Sequence, residues 1–205
     1  MPPQAAYLLN LAPPRAGDEH VLTGAPDVPW ALQHHLRLGR PVRPWVQEPV
    51  AWRSAGEGAL VAGVVANGCH LLVLHRRFAE AIAASAVEVE QLALEIRAGA
   101  GAPASDTHVL VNPLVTVTAL AAGEERLRGT PDAVEVPTDD ATWSALWLRA
   151  AALDGAPPLF RVAGVPGQIF YTHAQQRRWA QVATELGSDD HRLFFHGVGL
   201  VEEGA

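Results

Sequence analysis

The chain has 205 residues, of which 49% are hydrophobic and 18% charged, so it can bury a sizeable core and is not disordered throughout. Its formal net charge of −7 lacks the basic footprint typical of a nucleic-acid binder, and no nucleic-acid partner is expected. The single cysteine, Cys69, excludes an intrachain disulfide framework and a multi-cysteine metal knuckle.

The first residues carry no basic segment, and their apolar stretch is interrupted by Asn10 and Pro13, which argues against a signal peptide. The longest apolar run, residues 59–66, is far shorter than the roughly 20 residues that a membrane-spanning helix needs. We therefore predict a cytoplasmic protein with no membrane partner.

Residues 1–58 are predicted to form an irregular, proline-rich N-terminal arm. Short strands are expected at residues 7–11 and 21–23, and a turn or two of helix at residues 30–38. Longer regular structure is disfavoured because proline fixes φ and removes a hydrogen-bond donor. Five prolines fall between residues 26 and 49: Pro26, Pro29, Pro41, Pro44 and Pro49. We expect three tryptophans, Trp30, Trp45 and Trp52, to pin the arm onto the core.

Residues 59–205 are predicted to form the core of the same single domain. Its first part is a buried strand at 68–74, a short amphipathic helix at 75–84 and a strand at 87–96, with a bulge at Glu90 and Gln91. Residues 108–118 are expected to form one strand interrupted at Asn112 and Pro113. Residues 143–148 fit a helix and a buried strand equally well.

The second part of the core repeats this order. Strands are expected at residues 159–162 and 168–171, and Thr172 stands where the N-cap of a helix at 173–186 would be. Trp179, Val182 and Leu186 share one face of that helix, and a last strand follows at 192–196. Two strand–helix–strand units of one plan indicate either a duplication or a coincidence. The expected fold is α+β, with a mixed, largely antiparallel sheet and two or three helices.

Motifs for catalysis and cofactor binding are absent from the sequence. There is no nucleophile elbow, phosphate loop or zinc-binding His-Glu-x-x-His pattern, so we expect no catalytic residue, no cofactor and no metal. A small metal-dependent or other hydrolase that uses convergent histidines remains an alternative, as does an adaptor or interaction module. Paired acids in predicted loops are the first candidates for contact with a basic partner: Glu124, Glu125, Asp139 and Asp140.

The order of several short segments resembles the immunity-protein family eleven of bacterial polymorphic toxin systems. The segments are GCHLLVLHRRF (68–78), VLVNPLV (109–115), LFRV (159–162), GQIFYT (167–172) and LFF (193–195). This resemblance covers about the C-terminal two-thirds of the chain. It implies a protein without catalytic residues that binds a cognate toxin and neutralises it by stoichiometric occlusion. Because the chain is acidic, we expect the bound face of that toxin to be basic.

Overall fold

The fold is taken from a computed structural model, which describes residues 6–9, 21–55, 65–82, 84–85, 88–97, 103–121, 147–186, 195–197 and 199–201. Three α-helices lie in these ranges: α1 (Trp30–Arg37), α2 (Arg76–Glu80) and α3 (His173–Leu186). The strands are β1 (Ala6–Leu9), β2 (Val21–Thr23), β3 (Val50–Ser54), β4 (Ala66–Asn67), β5 (Leu72–His75), β6 (Val89–Arg97), β7 (Pro103–Ser105), β8 (His108–Pro113), β9 (Thr116–Val117), β10 (Trp147–Arg149), β11 (Leu159–Val162), β12 (Val165–Thr172), β13 (Phe195–Gly197) and β14 (Gly199–Val201).

The architecture is α+β with mixed, largely antiparallel sheets, as the sequence predicts. One sheet has the order β13-β1-β12-β11-β9, and a larger one has the order β4-β2-β3-β6-β8-β5, with β7 paired to β6. A third, two-stranded sheet pairs β10 with β14. No helix in the described part of the chain is long and apolar enough to cross a membrane.

The larger sheet curls until its two ends meet. Val65, directly before β4, donates a backbone hydrogen bond of 3.0 Å to the carbonyl of Val73 in β5. The turn between β4 and β5 is held by Asn67, whose side-chain oxygen accepts from the backbone N–H groups of Cys69 and Leu71. Because residues 68–71 belong to this turn, the strand predicted at 68–74 begins only at residue 72, as β5.

Each predicted strand–helix–strand unit has the same topology. In the first unit, β5 and β6 flank β8 and are both antiparallel to it, and α2 begins the connection between them. In the second unit, β12 and β13 flank β1 in the same way, and α3 begins the connection. The two helices are in contact, because the indole N–H of Trp179 in α3 donates to the carbonyl of Phe78 in α2 at 2.9 Å.

Both main sheets are covered by apolar side chains on both faces, because neighbouring residues along their strands enter different cores. In β5, Leu72 and Leu74 pack between the two sheets, whereas Val73 packs inside the curled sheet. In β12, Tyr171 packs between the sheets and Phe170 enters a third core on the outer face. Burial on both faces explains why these strands appear in the sequence as short continuous apolar runs.

The helix predicted at residues 173–186 is confirmed by its N-cap and by two residues of its buried face. The Thr172 hydroxyl accepts a hydrogen bond from the backbone N–H of Gln175 at 3.3 Å, as an N-cap residue does. Trp179 and Val182 are buried, but Leu186 is 40% exposed because the core no longer covers the last turn.

Two strand predictions are wrong. The strand β6 has no bulge at Glu90 and Gln91, because its pairing with β8 is continuous from Val89 to Ala93. Glu90 instead occupies a buried position of a regular strand, where its carboxylate accepts hydrogen bonds from the backbone of residues 42 and 43. Residues 108–118 form two strands in different sheets, since the chain leaves β8 after the buried Pro113 and β9 pairs with β11.

Candidate functional site

The residues that the sequence nominated for partner binding cannot be placed. Glu124, Glu125, Asp139 and Asp140 all lie outside the described residues. The candidate site presented below was therefore found from the structure, and it lies in the proline-rich arm and the strands next to it.

A groove of about 520 Å³ lies between residues 27–49 of the arm and the strands β3 and β6. The two strands are parallel, and their register sets Ala51 beside Glu95 and Arg53 beside Arg97. The backbone N–H of Asp27 donates to the carbonyl of Ala51 at 2.8 Å, which fixes one wall. We call this feature the Trp45 groove; its lining is Asp27, Pro29, Trp45, Val46, Gln47, Glu48, Pro49, Ala51, Glu95 and Arg97.

Two carboxylates of the groove are engaged by arginines. Arg97 donates to both carboxylate oxygens of Glu95, from Nε at 3.0 Å and from Nη2 at 3.3 Å. This hydrogen bonding lowers the pKa of Glu95 and raises that of Arg97. Glu48 is bound by Arg43 at 3.3 Å and also accepts the backbone N–H of Ala93 at 2.7 Å.

The third carboxylate is different. The side chain of Asp27 takes part in no hydrogen bond or ion pair with the residues that the structure describes, although its charge acts at a distance on Arg97. The residue is exposed. The groove therefore holds three carboxylates, of which two have an arginine partner.

Two of the three tryptophans expected to pin the arm do not do so. Trp52 is 1% exposed and donates its indole N–H to the carbonyl of Thr23, but Trp45 is 63% exposed and Trp30 is 80% exposed. Within the part of the chain that the structure describes, Trp30 stacks on His34 of its own helix, at a centroid distance of 6.3 Å. The apolar anchors of the arm are instead aliphatic: Val28, Leu36, Leu38 and Val42.

Polar contacts complete the anchoring of the arm. The buried Glu90 carboxylate accepts from the backbone N–H of Val42 at 3.1 Å and of Arg43 at 2.7 Å, and from the side-chain amide of Asn112 at 3.0 Å. These bonds hold the backbone just before Trp45. No local sequence pattern reveals this role, because the partners come from three distant segments.

Arg161 of β11 fixes the other end of α1. Its guanidinium donates to the carbonyl oxygens of Leu36 and Arg37, both at 2.9 Å, and to those of Pro113 at 3.1 Å and Pro166 at 2.7 Å. Burial lowers the pKa of Arg161 to about 9, so the group remains charged at neutral pH. The bonds to Leu36 and Arg37 provide donors for carbonyls in the last turn of α1, where a helix lacks its full set of backbone partners.

The other chemistry-bearing residues of the sequence are dispersed. His75 lies against His108, with ring centroids 5.3 Å apart, and its Nδ1 accepts the backbone N–H of Arg77. Burial raises the pKa of the Cys69 thiol. Among the described residues, no three His, Cys, Asp or Glu side chains are placed to hold a metal ion. His191 lies outside these residues.

No protein-family model matches the chain, and no curated protein matches it either.

Proposed function

We propose that the chain is a cytoplasmic immunity protein that binds a bacterial toxin and neutralises it by stoichiometric occlusion, without chemistry of its own. The observation that carries the binding part of this proposal is the Trp45 groove, in which a largely exposed tryptophan stands beside prolines and carboxylates. The resemblance of the chain to immunity-protein family eleven supports a toxin as the partner.

An exposed tryptophan in a groove suits a protein partner. Tryptophan is enriched among the few interface residues that contribute most of the binding energy, since it buries a large rigid surface at small entropic cost. Trp30 and Trp45 lie on the same arm: Trp30 is the first residue of α1, and Trp45 ends the short helical turn that follows α1. A partner that covers both would bury an apolar surface that water now contacts.

The hydrogen bonds that order the arm also favour binding. Glu90 and Arg161 hold the arm through hydrogen bonds to its backbone on both sides of Gly39, so the backbone before Trp45 does not have to become ordered on association. Binding surfaces that are ordered beforehand lose less conformational entropy when the complex forms. This arrangement is what a tight inhibitor requires.

The proposal is tested by asking whether the chain neutralises the toxin that a neighbouring gene is expected to encode. Cells that express the toxin domain should survive only when the chain is co-expressed, and calorimetry with the purified proteins should give one chain bound per toxin domain. The variant Arg177→Ala changes an exposed residue of α3, far along the chain from the arm, and should protect the cells as fully as the wild type does. Cell death despite an excess of folded chain would contradict the proposal.

A further inference from the structure

The Trp45 groove combines an exposed tryptophan with a carboxylate that makes no hydrogen bond or ion pair with the described residues. Trp45, Val46, Pro29 and Pro49 supply the apolar part of the lining. Of the carboxylates, Glu95 and Glu48 already bind arginines of this chain, whereas Asp27 accepts no hydrogen bond from the described residues. Asp27 is thus the carboxylate of the lining without an ion-pair partner among the described residues, and the exposed indole of Trp45 lines the same groove.

A guanidinium or ammonium group complements this pair. A cation is attracted to the face of a tryptophan ring, and arginine can also give a carboxylate two parallel hydrogen bonds. Phosphate groups fit poorly, because three carboxylates line the groove and the overall charge of the chain is −7. The groove therefore favours a basic side chain over a nucleic-acid backbone.

The shape and the lining favour an extended segment as the carrier of that cation. A volume of about 520 Å³ accommodates a few side chains and not a folded element. Grooves lined by tryptophan take up polyproline II segments, which lose little conformational entropy on binding because they are already extended. The apolar residues of the lining, Pro29, Val46 and Pro49, offer contacts to proline neighbours of the basic residue.

We infer that the Trp45 groove binds an extended segment of the toxin in which an arginine is flanked by prolines, with the guanidinium between Trp45 and Asp27. The inference rests on the proposed function, because it identifies the part of the toxin that this surface recognises. It also gives the expected basic face of the toxin a location on this chain.

The experiment uses fluorescein-labelled hexapeptides and the full chain. The probes are Pro-Arg-Pro-Pro-Arg-Pro, the same peptide with Glu for Arg, and the same peptide with Gly for Pro, titrated by anisotropy to about 2 mM because isolated peptides bind weakly. We expect the Pro-Arg peptide to bind at least about fivefold more tightly than either other peptide. Raising the salt concentration should weaken its binding, since the contact is exposed.

The variants Asp27→Asn and Trp45→Ala should each weaken binding of the Pro-Arg peptide about fivefold. Both residues are exposed, so circular dichroism should show an unchanged fold. The matched controls are Asp154→Asn and Trp147→Ala, which remove an exposed carboxylate and an indole that is 44% exposed elsewhere. Equal binding of the three peptides, no binding at all, or equal effects of the site and control variants would overturn the inference.

The toxin assay distinguishes the inference from the proposed function. If the wild-type chain neutralises the toxin and the Asp27→Asn/Trp45→Ala double variant does so with unchanged affinity, the groove is not the toxin site and the inference fails alone. If the wild-type chain fails to neutralise the toxin, the proposed function fails, whatever the peptides show.

Discussion

Replacement of Arg161 by methionine tests whether a single buried guanidinium holds the arm to the core. Methionine keeps most of the aliphatic stem and removes four hydrogen bonds to the carbonyls of residues 36, 37, 113 and 166. A hydrogen bond to a charged group contributes about 1.5–3 kcal/mol, but the variant also recovers the cost of burying a charge. We expect the free energy of unfolding to fall by about 3–5 kcal/mol, because each buried carbonyl left without a partner costs about 1–3 kcal/mol and the sum exceeds what the variant recovers.

Urea denaturation followed by far-ultraviolet circular dichroism measures this change as a shift of the midpoint at constant slope. Arg161→Lys should lose less stability than the methionine variant, since the lysine ammonium can still donate to some of these carbonyls. It should not restore the wild-type stability, because an ammonium cannot replace a guanidinium fork at all four. Arg177→Met, at an exposed position of α3, is the control and should stay within about 0.5 kcal/mol of the wild type. A loss below about 1 kcal/mol for Arg161→Met would refute the reasoning, because the carbonyls would then have found other partners.

Three further predictions concern single positions. Gly39→Ala should destabilise the chain by about 2–4 kcal/mol in the same urea assay, because φ is +68° and the new Cβ would lie 2.5 Å from Nε of Arg161; an unchanged midpoint would count against this geometry. Burial, and then the charge of Arg77, lowers the pKa of His75 in the folded chain. The contribution of the neutral His75 to the free energy of unfolding should therefore be complete above pH 6.5, and it should be lost as the pH drops below that value because the unfolded chain takes up the proton more readily. His75→Asn, which keeps a cap acceptor but does not titrate, should flatten this part of the pH profile of the melting temperature; an equally steep profile would assign the effect to another group. Trp179→Ala should cost about 3–5 kcal/mol by thermal or urea unfolding, because the ring is fully buried and its N–H is bonded; a cost under about 1 kcal/mol would contradict its place in the core.

Local signals in the sequence predicted the elements that depend on neighbouring residues. The helix α3 was predictable because Thr172 caps it and Trp179 and Val182 recur at helical spacing. Strands β11 and β12 were predictable as short apolar runs between turns. The α+β class follows from the order of these elements, which a single sequence carries.

The candidate site was not predictable, because distant segments form it. The lining of the groove joins the arm at residues 27–49 to β6 through the parallel pairing of β3 with β6, and no local pattern encodes that register. The exposure of Trp45 was missed because a tryptophan in a proline-rich stretch is usually an anchor, and here Val42 and Glu90 take that part. The proline next to Asn112 gave no sign that the chain changes sheets there.

The position of β1 has a consequence for the time at which the protein can fold. This strand lies between β12 and β13, so among the described strands β1 is the earliest in the sequence and pairs with two of the latest. All strands of the curled sheet lie within residues 21–113. On the ribosome, that sheet can form while the rest is still being made, whereas β1 has to wait for β12 to emerge. We therefore expect β1 to pair late, after a slow search across a long stretch of chain.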